Sequence, residues 1–496
     1  MDNGLQQAPQ FRVLSDLQIG RIFQATLDCL QRTGIKVQNP TARTILEKAG
    51  ADVRGEIVHI PAYIIEEAVS TCPSSFTLWG RDGENPIELI DGQNIYGPGP
   101  SCTYFIEPVS GERRKTRLGD PGLTARVCDA LVNIGYVMSL GLIDDVKPEL
   151  ATVYEFAEMV ANTSKPVLVW SFSLDQLQDI YQIATAVVGS EENLRQKPFV
   201  GFFSTTLSPL THTDKDLENM LWAAEQGLPV FYLGGGTVGS TAPITGAGAL
   251  VITLAELLSG LAILQLNTPG TPVCIGSVMA ASDLRLVRPA YGGPEMSLNC
   301  AAMSDISRYL GIPYMGTAGA SESKTLDLQA AIESSFQVLL SSLSNATLVH
   351  DVGFLDCADI GSLEMLVMND EIISMSRRVQ RGIEVSDQTL MLDLIDEIGP
   401  GGEFLSSMET AQHCRFEIWM PGLMDRAPWI DWYNAGAITM HDRIKAKLQN
   451  ILNTHHPTPL SEQITEKIAA ILQAANQRYE KPIEIIDHWA EEHSSG

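Results

Sequence analysis

Between residues 121 and 352 a helix-period pattern and a short apolar run alternate repeatedly. The apolar runs fall at 136–142, 166–173, 199–204, 229–233, 272–278, 313–317 and 348–352. Amphipathic stretches lie between them, at 150–162, 174–189, 214–227, 247–267, 297–310 and 326–343. Several runs open at a proline, as in KPVLVW, LPVFYL, TPVCIG and IPYMG, and proline is tolerated at a first strand residue. Continuous apolar runs, rather than alternating ones, predict strands buried on both faces, as in a parallel sheet covered by helices. Seven such strands, with one more to be found, predict an α/β fold of the (β/α)8 TIM-barrel type rather than a doubly wound sheet.

The flanks have a different texture. Residues 11–34 place Leu14, Leu17, Ile19, Ile22, Phe23, Leu27 and Leu30 mostly at helical spacing. From there to about 120, short strand-like runs alternate with glycine turns. The pattern divides the chain into an N-terminal α+β extension (1–120), a TIM-barrel catalytic domain (121–425) and a C-terminal helical segment and tail (426–496). That last segment is polar, with THHPTP and a final EEHSSG.

Composition narrows the partners. The 496 residues are 45% hydrophobic and 19% charged, with a formal net charge of -27. An acidic surface repels phosphate backbones and anionic lipid, so neither nucleic acid nor membrane is an expected partner. No charge-free apolar run of about 18 residues stands out, which predicts no membrane span. The first residues lack a basic segment followed by an apolar one, which argues against a secretory signal. The eight cysteines are scattered without a C-x-x-C pair, as expected of reduced thiols in a cytoplasmic protein. No H-x-x-x-H or similar spacing offers a zinc site, so no metal is expected. Neither G-x-S-x-G nor G-x-x-x-x-G-K-[ST] occurs, which removes the serine-hydrolase elbow and the P-loop.

One stretch matches a motif by letter. FYLGGGTVGSTAP contains Gly234, Gly236 and Gly239 as G-x-G-x-x-G, after an apolar run and before a helical pattern. A dinucleotide site also needs an acidic residue at the end of the next strand. The acid at about the right distance, Glu256, falls inside the helical pattern. These glycines are therefore read as a side-chain-poor loop after a barrel strand.

If the fold is a barrel, function belongs at the C-terminal strand ends. Those ends bring Trp170 and Phe172, Phe202 and Phe203, Tyr232 with Gly234 and Gly235, Thr317, and His350 with Asp351. The segment IYGPGPSCTYF adds Tyr96, Tyr104 and Phe105. Such a mouth is aromatic and poor in charge. Aromatic faces attract cations, and quaternary ammonium groups, which have no N–H to donate, are held by aromatic cages. His350 is the sharpest single candidate, with Asp351 and Asp356 as groups that orient it or bind a cation. Glu295 reads as a helix-start carboxylate.

The motifs VQNPTARTILEKAGADV, FTLWGRD, YGPGPS, GERRKTRLGD, SKPVLVWSFS, GLPVFYLGGGTVGSTAPITGAGAL, GTAGASESKTLDLQAAIES and VHDVGFLD together resemble the trimethylamine methyltransferase superfamily. The resemblance spans about residues 10–420. Founding members carry pyrrolysine, whereas this chain uses only the twenty standard residues and so resembles the non-pyrrolysine branch, with the equivalent position falling within 316–333. The resemblance implies a TIM barrel. It also implies transfer of a methyl group from a quaternary amine, glycine betaine first, to cob(I)alamin on a separate, cognate corrinoid protein. Proline betaine, carnitine or γ-butyrobetaine as substrate, and a betaine-binding module without turnover, are the alternatives. No tightly bound cofactor is implied, and a homo-oligomer is expected. Strand-end position and the resemblance together put Tyr96, Trp170, Phe203, Tyr232 and Phe354 in the cage. They put Gly234 and Gly235 beside an anionic substrate tail, with His350 binding or orienting the substrate.

Overall fold

A computed structural model describes residues 5–479. Its centre is a parallel sheet of seven strands: β1 (Ile95–Tyr96), β2 (Val167–Val169), β3 (Val200–Thr205), β4 (Val230–Gly234), β5 (Val273–Ser277), β6 (Tyr314–Thr317) and β7 (Leu348–His350). The hydrogen-bonded order is β2-β3-β4-β5-β6-β7-β1. The sheet curls until the segment 134–137 meets both of its edges through single parallel bridges, Tyr96 with Ile134 and Val137 with Val167. Gly135 N–H donates to the Tyr96 carbonyl at 2.8 Å, and Val137 N–H to that of Pro166 at 2.9 Å.

Two expectations change here. The run at 136–142 does not form a regular strand; only its first residues bridge the sheet. The missing strand is β1, which pairs with β7 and comes from before residue 120. At two residues it is too short to leave an apolar run in the sequence.

Alternation along the strands sorts side chains into two clusters. Ile95, Leu168, Phe203, Phe231, Leu233, Cys274, Met315 and Leu348 point to the inside of the curl. Their neighbours, among them Val167, Phe202, Tyr232, Ile275, Tyr314 and Val349, face the surrounding helices. The hairpin Phe76–Leu78/Ile87–Leu89 adds Leu78 and Leu89 to the inner cluster. Its Phe76 ring sits edge-on to Phe231 at 5.9 Å.

The N-terminal part is stitched to this centre. Thr211–His212, from the loop after β3, joins the sheet of Ile35–Val37, Asp52–Arg54 and Ile57–His59. The helices Asp16–Arg32 and Ala62–Thr71 pack on Gly246–Asn267. That 22-residue helix is long and apolar enough to cross a membrane, although Glu256 interrupts it, and 78% of its apolar window is buried inside the fold. It is apolar all round because it is covered all round. On the other side, Met440–Thr454 packs on Leu363–Gln380, and Glu462–Gln477 on Leu174–Val188. The sequence ending in EEHSSG lies outside the described residues.

Candidate active site

A cavity of about 180 Å3 opens at the C-terminal ends of the strands. Trp170, Phe203, Thr205, Leu233, Gly234, Gly235, Val278, Tyr291, His350, Asp351 and the Pro100–Ser101 turn line it. A larger cavity, about 880 Å3, lies elsewhere, between Arg114, Arg117, Arg126, Glu158 and His456. It contains no strand-end residue and no aromatic wall.

Each wall is held from behind. The Trp170 indole N–H donates to Glu155 Oε2 at 3.4 Å, and its ring lies 4.9 Å from Phe172. Glu155 sits on the helix Pro148–Ala161 and also accepts the Ile143 N–H at 3.2 Å. Burial pushes its carboxyl up to about 8, because the charged form has lost its water. Phe203 meets the His350 ring edge-on at 6.1 Å.

Both nitrogens of His350 are engaged. Nδ1 is 2.6 Å from Asp351 Oδ1, and Nε2 is 2.9 Å from Thr317 Oγ1. The Thr317 hydroxyl donates to the Ser277 carbonyl at 3.1 Å. A hydroxyl has one proton to give, so Nε2–H is the donor toward Thr317. Asp351 takes up a left-handed backbone, φ 71°. Gly99 lets it approach: a Cβ there would lie 2.1 Å from Asp351 Oδ1.

Beside the glycine loop, the buried Glu256 carboxylate accepts Thr206 Oγ1, Ser208 Oγ and the Leu210 N–H, each at 2.8 Å. Burial raises its pKa and these donors lower it. Gly235 has φ 134°, and a Cβ would stand 2.2 Å from the Val278 carbonyl oxygen. Residues 240–245 separate Gly239 from the helix Gly246–Asn267. The glycines thus do not open a helix N-terminus, which a dinucleotide fingerprint requires.

The expected residues divide. Trp170, Phe203, Gly234, Gly235 and His350 meet around one cavity. Tyr96 and Tyr232 are turned to the helix layer, because strand alternation puts them on the outer face. The Tyr96 hydroxyl bonds Ser342 Oγ at 2.7 Å. Tyr232 bonds His212 Nδ1 at 2.5 Å and packs over Gly260. Phe354 is buried against Gly99, outside the lining. Asp351 orients His350, whereas Asp356 pairs with Arg288 at 3.1 Å and Lys324 at 3.4 Å. Glu295 stands in the first turn of Pro294–Leu310. His455, expected to be in a solvated turn, binds Asp129 at 2.8 Å.

Tyr291 was missed. It follows the hairpin Ala281–Asp283/Arg288–Ala290, which leaves the sheet just after Val278 and returns at Tyr291. Its only signal was an aromatic before GGPE. The hairpin tip raises Leu284, Leu286 and Val287 to 68–87% exposure. Among the described residues, no group of three or more His, Cys, Asp or Glu side chains is gathered as metal ligands would be.

A curled parallel sheet with a small, aromatic-walled cavity at its strand ends defines an α/β enzyme class in which loops carry the chemistry. The chain belongs to the trimethylamine methyltransferase (MTTB) family, whose model matches residues 2–479. It is 30% identical to the trimethylamine methyltransferase MttB of Desulfitobacterium hafniense (strain DSM 10664 / DCB-2) over 94% of each chain. It is 29% identical to the glycine betaine methyltransferase of D. hafniense (strain Y51), over 94% of this chain and 98% of that one. Its fold is similar to that of the monomethylamine methyltransferase MtmB of Methanosarcina barkeri, with a TM-score of 0.52 at 11% identity, over 97% of this chain and 89% of the other.

Proposed function

We propose that this chain moves a methyl group from a quaternary amine, with glycine betaine the first candidate, to cob(I)alamin carried by a cognate corrinoid protein. The observation that carries the reading is the cavity wall of Trp170, Phe203 and Tyr291 at the strand ends. Three aromatic side chains around a small volume suit a cation that cannot donate a hydrogen bond. Family membership and the two Desulfitobacterium relatives support the reaction class. We also read the seven strands and the bridging segment 134–137 as one closed barrel, which makes this cavity its mouth.

The reduced corrinoid supplies a strong nucleophile for direct displacement at the methyl carbon. The C–N bond breaks as the C–Co bond forms, and the amine leaves neutral with its electron pair. A quaternary ammonium therefore needs no proton donor. The residues of this chain orient the amine, exclude water and hold one methyl outward. His350, with both nitrogens engaged, acts as a fixed wall of the cavity and not as a partner for a substrate carboxylate. The cavity suits a small amine, and the corrinoid stays outside on its own protein. The apolar hairpin tip at Leu284, Leu286 and Val287 is where we place that protein's docking edge.

A second reading has its own observation. Among the described residues, no lysine or arginine lines the cavity, so a carboxylate tail would meet only hydroxyls such as Ser101 and Thr205. A quaternary amine without a carboxylate fits this wall as well as a betaine does. The deciding experiment is a panel of glycine betaine, proline betaine, carnitine, γ-butyrobetaine and choline with reduced corrinoid protein. Methylcobalamin absorbance is followed. We expect growth of the methyl-cobalt spectrum with at least one of them. No transfer from any member, with calorimetric binding intact, would reduce the chain to a binding module.

A further inference from the structure

Taking Tyr291 as an aromatic wall for the ammonium group, as proposed above, we infer that Glu322 and Gln337 are positioning residues that set where its ring stands in the strand-end cavity. Neither residue lines that cavity, so neither would touch a bound amine. They act on it through Tyr291.

Tyr291 has no regular structure to hold it. The hairpin that delivers it makes its last pairing at Ala290, opposite Ala281, and the helix Pro294–Leu310 has not yet begun. A backbone N–H and C=O that leave a ladder still need partners. At Tyr291 both partners are side chains. The N–H donates to Glu322 Oε1 at 2.5 Å, and the same oxygen takes the Gly292 N–H at 3.4 Å. The carbonyl accepts Gln337 Nε2 at 2.8 Å. Hydrogen bonds to a carboxylate are shorter and stronger than those between neutral groups, so Glu322 is the firmer of the two tethers.

The tethers are themselves fixed. Gln337 is buried, and its Oε1 accepts the Ala320 N–H at 3.1 Å. One turn earlier on the same helix, Leu328–Ser344, Glu333 Oε2 accepts Ser321 Oγ at 2.6 Å and the Glu322 N–H at 2.8 Å. One helix face thus holds the irregular segment 320–322, and Glu322 passes the constraint on to Tyr291. Gly292 leaves the room this needs, because a Cβ there would lie 2.4 Å from Glu333 Cδ. On the hairpin side, Cys357 Sγ donates to the Pro289 carbonyl at 3.0 Å. An aromatic ring attracts a cation only over its face and at short range. A wall carried by an inserted hairpin therefore works only if its backbone is held to within a fraction of an ångström.

The test is steady-state methyl transfer from the accepted amine of the panel to reduced corrinoid protein. Tyr291→Ala should raise the amine KM about tenfold, as expected for one desolvated cation–π wall. Glu322→Ala and Gln337→Leu should each raise it about three- to fivefold with kcat little changed. Glu322→Gln keeps an acceptor oxygen for the Tyr291 N–H and should recover most of that loss. The double variant Glu322→Ala/Tyr291→Ala should be no worse than Tyr291→Ala alone, because a residue that acts through the ring has nothing left to act on. Hydrogen exchange on the free chain needs no substrate: the 291–292 amides should exchange on the order of tenfold faster in Glu322→Ala. An unchanged KM in both Glu322→Ala and Gln337→Leu, a double variant clearly worse than Tyr291→Ala, or unaltered exchange at 291–292 would overturn the inference while leaving the reaction standing. A wild type that transfers no methyl from any amine would overturn both.

Discussion

The strands around the cavity and the arm at 383–438 are both rich in large apolar residues, yet their surroundings are opposite. β3 to β5 are buried on both faces, inside by Phe231 and its cluster, outside by helices. The four arm helices, Asp387–Leu390, Leu392–Ile398, Met408–Glu417 and Trp429–Asn434, are buried on neither. Apolar content alone therefore does not say what the chain itself will cover. In the strands the cover is the chain itself; the arm's large side chains stay exposed on the single chain.

The largest break in this comparison is Phe231→Ala. Phe231 is fully buried, so truncation should cost about 3–5 kcal/mol, read from urea unfolding. A loss below about 1 kcal/mol would show that the inner cluster is loosely packed. Next is Glu155→Gln, read as stability against pH. The folded-state carboxyl is raised from 4.5 to about 8, so its contribution is full below pH 4.5 and is lost as pH rises toward 8. The wild type should fall relative to the variant by about 1.4 kcal/mol per pH unit across that window and level off above it. Parallel curves would contradict the raised value.

Trp170→Ala should raise the KM of the accepted amine about tenfold, in line with a desolvated cation–π contact of about 1–2 kcal/mol, and Trp170→Phe should recover part of it. An unchanged KM would place the ammonium elsewhere. The smallest effect is expected in the arm. Leu405, 82% exposed, should on replacement by Ala change stability by no more than about 0.5 kcal/mol, read from urea unfolding. A loss as large as that of Phe231→Ala would mean that the arm packs on its own chain.

Much of the centre was legible because continuous apolar runs with helices between them have few other solutions. Six of the seven strands fall on predicted runs, two of them extending one residue past the run's end. Trp170, Phe203 and His350 were legible as strand-end residues and do line one cavity. Tyr96 and Tyr232 were not placed correctly, since a strand apolar on both faces hides which parity points inward. Tyr291 was invisible because an inserted hairpin delivers it. A bulky replacement at Gly235 would not report on substrate contact alone. The Val278 carbonyl occupies the space, so the loop would move before any substrate arrived.

By itself the sequence determined the α/β class of the fold, the family and most of the residues at the strand ends, among them Trp170, Phe203 and His350. Those follow from local periodicity and from residue types, which do not depend on how distant segments meet. Only the tertiary structure decided which aromatic faces the cavity, that Thr317 and Asp351 hold His350 from both sides, and that Glu256 ties down the loop 206–210. Each depends on contacts between residues far apart in the chain or on a strand's rotational setting, and a one-residue change of parity reverses every side chain on a strand.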